Sequence, residues 1–169
     1  MRRFLNFLYD GSAVLAATCM VALLVAVLLS IASRQLHFLI SGIDAYAGYL
    51  MAGAGFLALA HTLKRGEHIR VTLIANALKG RSKKSLEVLA LFVGTLLAAL
   101  FAYYSIRLAW QSHEFHDIST SNDATPLWIP QLTMAVGSLV MAIACADELV
   151  LEILGKRTVP VSGEALRNE

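Results

Sequence analysis

The chain has 169 residues, of which 57% are apolar and only 15% are Asp, Glu, Lys or Arg. Soluble domains usually carry about 25% charged residues, and the mean hydropathy here is +0.65, which excludes an ordinary soluble domain. The net charge of +2 is modest, and the sequence has no nucleic-acid-binding signature.

Four stretches of the sequence contain no Asp, Glu, Lys or Arg. They are 19 to 23 residues long and cover Gly11–Ser33, Ala45–Leu63, Val88–Ile106 and Ala124–Ala146. Because a helix needs about 20 apolar residues to cross the hydrocarbon core of a bilayer, the sequence predicts an all-α membrane protein with four transmembrane helices. The predicted single domain covers residues 1–155, with spans near 12–33, 44–63, 86–108 and 126–150 and a polar tail at 156–169.

The first stretch has a signal peptide as its alternative, because Arg2 and Arg3 precede it. Its apolar run is longer than the about 7–15 residues of a signal-peptide core, and no clear Ala-x-Ala cleavage site follows. We therefore expect a retained transmembrane helix.

The basic residues lie almost entirely on one side of the predicted spans. Twelve of the fourteen Lys and Arg precede span 1, separate spans 2 and 3 or follow span 4, whereas Arg34 and Arg107 lie on the other side. Since basic loops stay in the cytoplasm, we expect both termini to be cytoplasmic.

A basic segment, Lys64–Lys84, joins spans 2 and 3. Its centre, HIRVTLIANALK, has a narrow polar arc and a broad apolar face on a helical wheel. This pattern predicts an amphipathic helix in the cytoplasmic-side interface. Arg70 falls on the apolar face, so its side chain either reaches lipid phosphates or pairs with a carboxylate. The residues expected to contact a partner or lipid at this interface are Glu67, His68, Arg70, Asp147 and Glu148.

Small residues recur at helical spacing in two spans. Such stripes let helix backbones approach closely, either within the four helices or against another membrane subunit. The stripes are Gly48, Ala52 and Gly55 in span 2, and Gly94, Ala98 and Ala102 in span 3.

No Asp, Glu, Lys or Arg lies at the centre of a predicted span, where such residues usually mark function. His61 lies near a span end, and a membrane haem site would need paired histidines. His113 and His116, with Glu114 and Asp117 nearby, do not form an H-E-x-x-H pattern and have no evident third ligand. We therefore expect a solvated loop there, no metal or cofactor in this chain, and no enzyme activity.

Two short motifs accompany the four spans. A G-x-H-I-x-V element covers Gly66–Val71, and a T-P-x-x-x-P element comprises Thr125, Pro126 and Pro130. Together with the four-span plan, they resemble the small permease subunit, the DctQ-like component, of TRAP transporters (tripartite ATP-independent periplasmic transporters). The resemblance covers about residues 5–155.

The resemblance implies a location in the bacterial inner membrane and a division of labour. A large many-span subunit would carry the substrate and Na⁺ sites, and a soluble periplasmic protein would capture the substrate, often an organic acid. The small subunit would be a scaffold for the large one. The outer loop, with Glu114, Asp117 and Asp123, is then a candidate docking contact for the periplasmic protein, with an ordinary exposed loop as the alternative.

Under the same interpretation, Pro126 fits the first turn of span 4, where a missing N–H costs little. Pro130 lies about one turn further in, where it would kink the entry or shift the start of the helix.

Two other functions remain open from the residues alone. A membrane anchor subunit of an enzyme complex would associate stably with a soluble enzyme. A self-contained small exporter is disfavoured, because it would need a carboxylate at the centre of a span.

Overall fold

The computed structural model describes residues 2–38, 40–66, 81–121 and 123–155. Each of the four helices in these ranges is long and apolar enough to cross a membrane, which confirms the predicted all-α, four-span fold. The helices are α1 (Arg2–Gln35), α2 (Ile43–Arg65), α3 (Arg81–Glu114) and α4 (Trp128–Ile153).

Several sequence predictions fall outside the described residues. They are the interfacial helix between α2 and α3, with Glu67, His68 and Arg70, and the polar tail at 156–169. These stay predictions. α2 ends at Arg65, and Gly66 caps it. The positive φ of Gly66, 72°, lets its N–H donate a hydrogen bond to the carbonyl oxygen of Leu63 at 3.1 Å.

Two helices extend well beyond the spans that the sequence predicts. α1 and α3 each have 34 residues, about 50 Å at a rise of 1.5 Å per residue, whereas the hydrocarbon core is about 30 Å thick. A charge-free stretch marks only the part of a helix that must lie in hydrocarbon. The polar flanks continue the helix, because each added residue gains a backbone hydrogen bond once the helix is nucleated.

The helices pack in a row in the order α1–α2–α4–α3. α2 packs between α1 and α4, and α4 packs between α2 and α3, while α1 approaches α4 at few points. Within the described residues, the backbone of α3 approaches only α4. The row is therefore open, and the two edge helices keep much of their apolar surface exposed, including Leu24 and Val25 on α1 and Leu96 and Leu97 on α3.

Small side chains form most of the buried surface between the helices. Ala60 and Ala144 are 1% and 0% exposed, and Gly137 on α4 faces the backbone of Phe56 on α2. A Cβ atom at Gly137 would lie 2.5 Å from the Phe56 carbonyl oxygen, so only glycine permits this approach. The Phe56 ring stacks on Phe101 of α3, with 5.8 Å between ring centroids, which links three helices at one level.

The small-residue stripe of span 2 does not pack within the described helices. Gly48, Ala52 and Gly55 are exposed, and a Cβ at Gly48 or Gly55 would meet nothing within 4 Å. The buried face of α2 instead carries Gly53, Ala54, Leu57 and Ala60. In α3, Ala102 is buried while Gly94 and Ala98 are half-buried. The first stripe is therefore available to a lipid or a partner.

The approach of α4 to α2 predicts an effect of Gly137→Ala. The added methyl group must displace backbone, and overpacking of this kind costs about 1–3 kcal/mol. Thermal unfolding in detergent should show a lower midpoint for Gly137→Ala than for the unmodified chain.

The matched control is Gly94→Ala in α3, where a Cβ would meet nothing within 4 Å and alanine favours a helix by about 0.5–1 kcal/mol. Equal unfolding temperatures for the two variants would contradict the close packing at Gly137.

Candidate functional site

An ionic cluster joins the end of α2 to the end of α4. The Lys64 ammonium group forms ion pairs with Asp147 Oδ2 and, at 3.2 Å, with Glu148 Oε1. The three side chains are only 22%, 21% and 11% exposed. We call this group, with Tyr9, the Lys64 cluster. Because both carboxylates come from adjacent positions of one helix, a single cation fixes α2 against α4 at this level.

Tyr9 brings α1 into the Lys64 cluster. Its ring centroid lies 5.4 Å from the Lys64 Nζ atom, a distance at which the aromatic face attracts a cation. Tyr9 is 2% exposed and packs in the core formed with Ala60, Val140 and Ala144. Beside it, His61 Nδ1 lies 3.5 Å from Asp10 Oδ1. Polar contacts therefore fasten three of the four helices at the end where α1 begins.

The structure pairs Asp147 and Glu148 with Lys64, and their contact with a partner subunit or with lipid stays a prediction. Lys64 carries its own sequence signal: it is the first cation after span 2, at the same depth as the carboxylates that end span 4. Because Lys64 is also one of the basic residues that indicate the orientation of the spans, its pairing with these carboxylates is easily overlooked. Arg70 lies outside the described residues, so its pairing stays a prediction.

At the opposite end, the segment between α3 and α4 is tied to α2. The Tyr49 hydroxyl donates a hydrogen bond to Asp123 Oδ2 at 3.1 Å, and the Thr125 and Tyr46 hydroxyl groups are hydrogen-bonded to each other at 3.0 Å. Gly42 immediately precedes α2 with φ +82°, and a Cβ there would lie 2.7 Å from Asp123 Cβ. From the sequence alone, neither Gly42 nor the pair Tyr46 and Tyr49 was predicted to anchor this segment.

The same segment closes on itself before α4 begins. Ile118 and Pro126 form an isolated antiparallel bridge, and the Ser119 N–H donates to the Thr125 carbonyl oxygen at 2.8 Å. Pro126 therefore precedes the helix, and the expectation that it occupies the first helical turn is wrong. Pro130 occupies that turn instead, because α4 begins at Trp128 and an N–H in the first turn has no helical partner to lose.

Hydroxyl groups stabilise the ionised form of Asp123. The Thr125 hydroxyl has the largest effect, and those of Ser119 and Tyr49 add to it, so that the pKa of Asp123 is lowered from its ordinary value. The carboxylate is therefore charged at neutral pH and remains a hydrogen-bond acceptor for Tyr49.

The exposed residues at this end of the molecule include Glu114 and Asp117, as well as His113 and His116. The two histidine rings lie 6.5 Å apart between centroids. In the part of the chain that the structure describes, no three His, Cys, Asp or Glu side chains are grouped closely enough to hold a metal ion.

The fold defines a multi-pass membrane protein. The described helices carry Asp, Glu, Lys, Arg and His only toward their ends, so the charged contacts fasten helices and none lies at mid-span.

The family profile described as the DctQ component of tripartite ATP-independent periplasmic transporters matches residues 23–155. The chain belongs to this family and is the small membrane subunit of a transporter of this type. Comparison with curated proteins gives no match.

The Lys64 cluster predicts that Lys64→Ala destabilises the protein. Removing the cation leaves two partly buried carboxylates without it, and breaking a buried pair costs about 3–5 kcal/mol. The residual exposure of Lys64 puts the expected loss toward the lower end of that range. Thermal unfolding in detergent measures it.

Lys84→Ala is the matched control, because Lys84 is exposed and an exposed charge is worth under about 1 kcal/mol. A triple variant, Lys64→Met with Asp147→Asn and Glu148→Gln, should recover much of the loss, since no unpaired charge remains. Similar unfolding of Lys64→Ala and Lys84→Ala would refute the fastening role.

The environment of Asp123 predicts that Thr125→Val raises its pKa toward the ordinary value, and that Tyr49→Phe does so less. A lowered pKa in the folded state means that the attachment of this segment is strongest above the ordinary Asp pKa of about 3.9. It weakens as the pH falls through the lowered value. Carbon-13 NMR of labelled aspartate follows the titration, with Asp123→Asn identifying the signal. An unchanged pKa in Thr125→Val would contradict this assignment.

Proposed function

We propose that this chain is the stationary scaffold subunit of a Na⁺-coupled secondary transporter in the bacterial inner membrane. A large many-span subunit carries the substrate and Na⁺ sites, and a soluble periplasmic protein delivers an organic acid or a similar small solute. The chain itself binds neither substrate nor cofactor. Membership of the DctQ family supports the assignment as a small transporter subunit. The scaffold role, the Na⁺ coupling and the type of substrate are what we propose.

The observation that carries the scaffold role is the open row of helices. A self-contained transporter needs a polar path through the bilayer, and ionisable groups at mid-span are its usual mark. In the described parts of this chain, charges lie toward the ends of the helices, where they fasten α1, α2 and α4. Both edge helices keep apolar surface exposed. A fastened unit with apolar faces suits a subunit that holds another membrane protein in position.

Contacts with the partners follow from exposure and charge. The exposed stripe of Gly48, Ala52 and Gly55 permits close approach of a partner helix. At the basic end, we assign Asp147 and Glu148, with Glu67, His68 and Arg70, to contacts with the partner or with lipid headgroups. Both termini lie in the cytoplasm in this proposal, because the basic residues concentrate at that end.

The opposite end then faces the periplasm. There the exposed Asp117 carboxylate and the segment anchored by Thr125 and Pro126 form the candidate contact for the periplasmic protein. Its attachment to Tyr46 and Tyr49 holds this segment in one position, which favours docking because little ordering is needed on binding.

Reconstitution into liposomes tests the proposed function. The chain would be combined with the large subunit and the periplasmic protein of the same transporter, and the substrate would be chosen by thermal-shift screening of organic acids on the periplasmic protein. We expect uptake driven by an inward Na⁺ gradient from the three components together, and background uptake when this chain is omitted.

Two results would contradict the proposal. Uptake by this chain alone would place the transport path in it, and full uptake without it would remove its role as a scaffold. Replacing the Na⁺ gradient with a K⁺ gradient is the control for ion coupling and should leave background uptake.

A further inference from the structure

A groove between α3 and α4 has no role in the proposed function. It measures about 740 Å³, within the about 300–1,000 Å³ of small-molecule sites. Apolar side chains, including Ile106, Ala109, Leu132 and Leu139, line most of its length. Polar and amphipathic side chains line its upper part, by which we mean the end where α3 finishes and α4 begins; they are Trp110, His113, Glu114, His116 and Trp128. The groove is thus graded from apolar to polar toward the end where α3 finishes and α4 begins.

The length of the groove matches one leaflet of a bilayer. Its lining on α4 runs from Trp128 to Leu139, eleven residues apart, which is about 16 Å at 1.5 Å per residue. The hydrocarbon core is about 30 Å thick, so one leaflet provides about half of that. A partner transmembrane helix would need a groove along the whole core, whereas one lipid chain needs only this length.

The polar upper part is complementary to a zwitterionic headgroup. Glu114 offers a carboxylate, and among the described residues no Lys or Arg forms an ion pair with it. His113 and two indole N–H groups, from Trp110 and Trp128, supply hydrogen-bond donors for a phosphate. The His113 ring lies against Trp128, with 5.4 Å between centroids. The carboxylate and the donors match an ammonium group and a phosphate, respectively.

We propose that this groove binds one phosphatidylethanolamine molecule, with an acyl chain between α3 and α4 and the headgroup at Glu114 and His113. Tryptophan favours the boundary between hydrocarbon and headgroups, which places Trp110 and Trp128 at the ester level of the lipid. The bound lipid widens the contact between α3 and the rest of the row, because α3 otherwise packs its backbone only on α4 in the described chain. The inference rests on membrane insertion alone and is independent of the transporter role.

Both tryptophans of the chain line this groove, so the intrinsic tryptophan fluorescence of the protein reports on binding in the groove. The full chain would be reconstituted in vesicles that mix phosphatidylcholine with phosphatidylethanolamine brominated on its acyl chains. Bromine quenches a nearby indole, and mixtures with the labels exchanged give the relative binding constant of the two lipids. We expect an about two- to fivefold preference for phosphatidylethanolamine, because its primary ammonium group donates hydrogen bonds to the Glu114 carboxylate, whereas the trimethylammonium group of phosphatidylcholine has no N–H to donate.

Matched variants separate the headgroup from the groove. Glu114→Gln should abolish the preference, whereas Asp117→Asn, an exposed carboxylate outside the groove, should keep it. Val136→Phe fills the groove and should also abolish the preference, whereas Val25→Phe, at a similarly exposed valine of α1, should not. The exposures of Val136 and Val25 are 47% and 49%, so neither substitution is expected to prevent folding.

Equal affinity for the two lipids in the unmodified chain would overturn the inference, as would an undiminished preference in Glu114→Gln. Co-purification of the large subunit with the valine variants tests the other occupant. If Val136→Phe reduces this association while Val25→Phe does not, the groove docks a protein and the lipid assignment is wrong. Normal association together with lost lipid preference supports it.

Discussion

The ion pairs from Lys64 to Asp147 and Glu148 are the contacts on which the arrangement of the helices depends most. Lipid tails are as apolar as the helix surfaces, so the hydrophobic effect does not select one neighbour for each helix inside a bilayer. Charged groups near the ends of the spans do select, because an unpaired charge there is costly. Lys64 selects α4 for α2, and Tyr9 adds α1 through its ring. At the other end, Tyr46 and Tyr49 hold the segment that leads into α4.

Fastening at the ends leaves the middle of the molecule free to be purely apolar. Small residues such as Gly137 and Ala144 let α4 approach its neighbours closely, and no polar path is needed there. The result is a row with broad exposed faces, an arrangement that is complete only with lipid and other proteins around it. In the proposed scaffold role, these exposed faces and fastened ends are the parts of the chain that contact its partners.

The four spans could be predicted from the sequence because the cost of a charge in hydrocarbon excludes Asp, Glu, Lys and Arg from long stretches. The position of Asp147 and Glu148 near the end of the fourth helix followed from the same rule. The pairing with Lys64 did not follow, since depth alone does not tell which helices are neighbours. Pro126 and Pro130 show a similar limit. Both residues suit the first turn of a helix. Pro126 instead forms a bridge with Ile118, a contact that the local sequence does not reveal, so the helix begins after it and Pro130 lies in the first turn.

If this chain works only as part of a membrane complex, extraction from native membranes in a mild detergent will release it together with its partners. A tag on this chain would recover its partners, and quantitative mass spectrometry would identify them. We expect a many-span membrane protein in near-equal amount. Recovery of a soluble enzyme in that amount, or of no partner at all, would contradict the scaffold role.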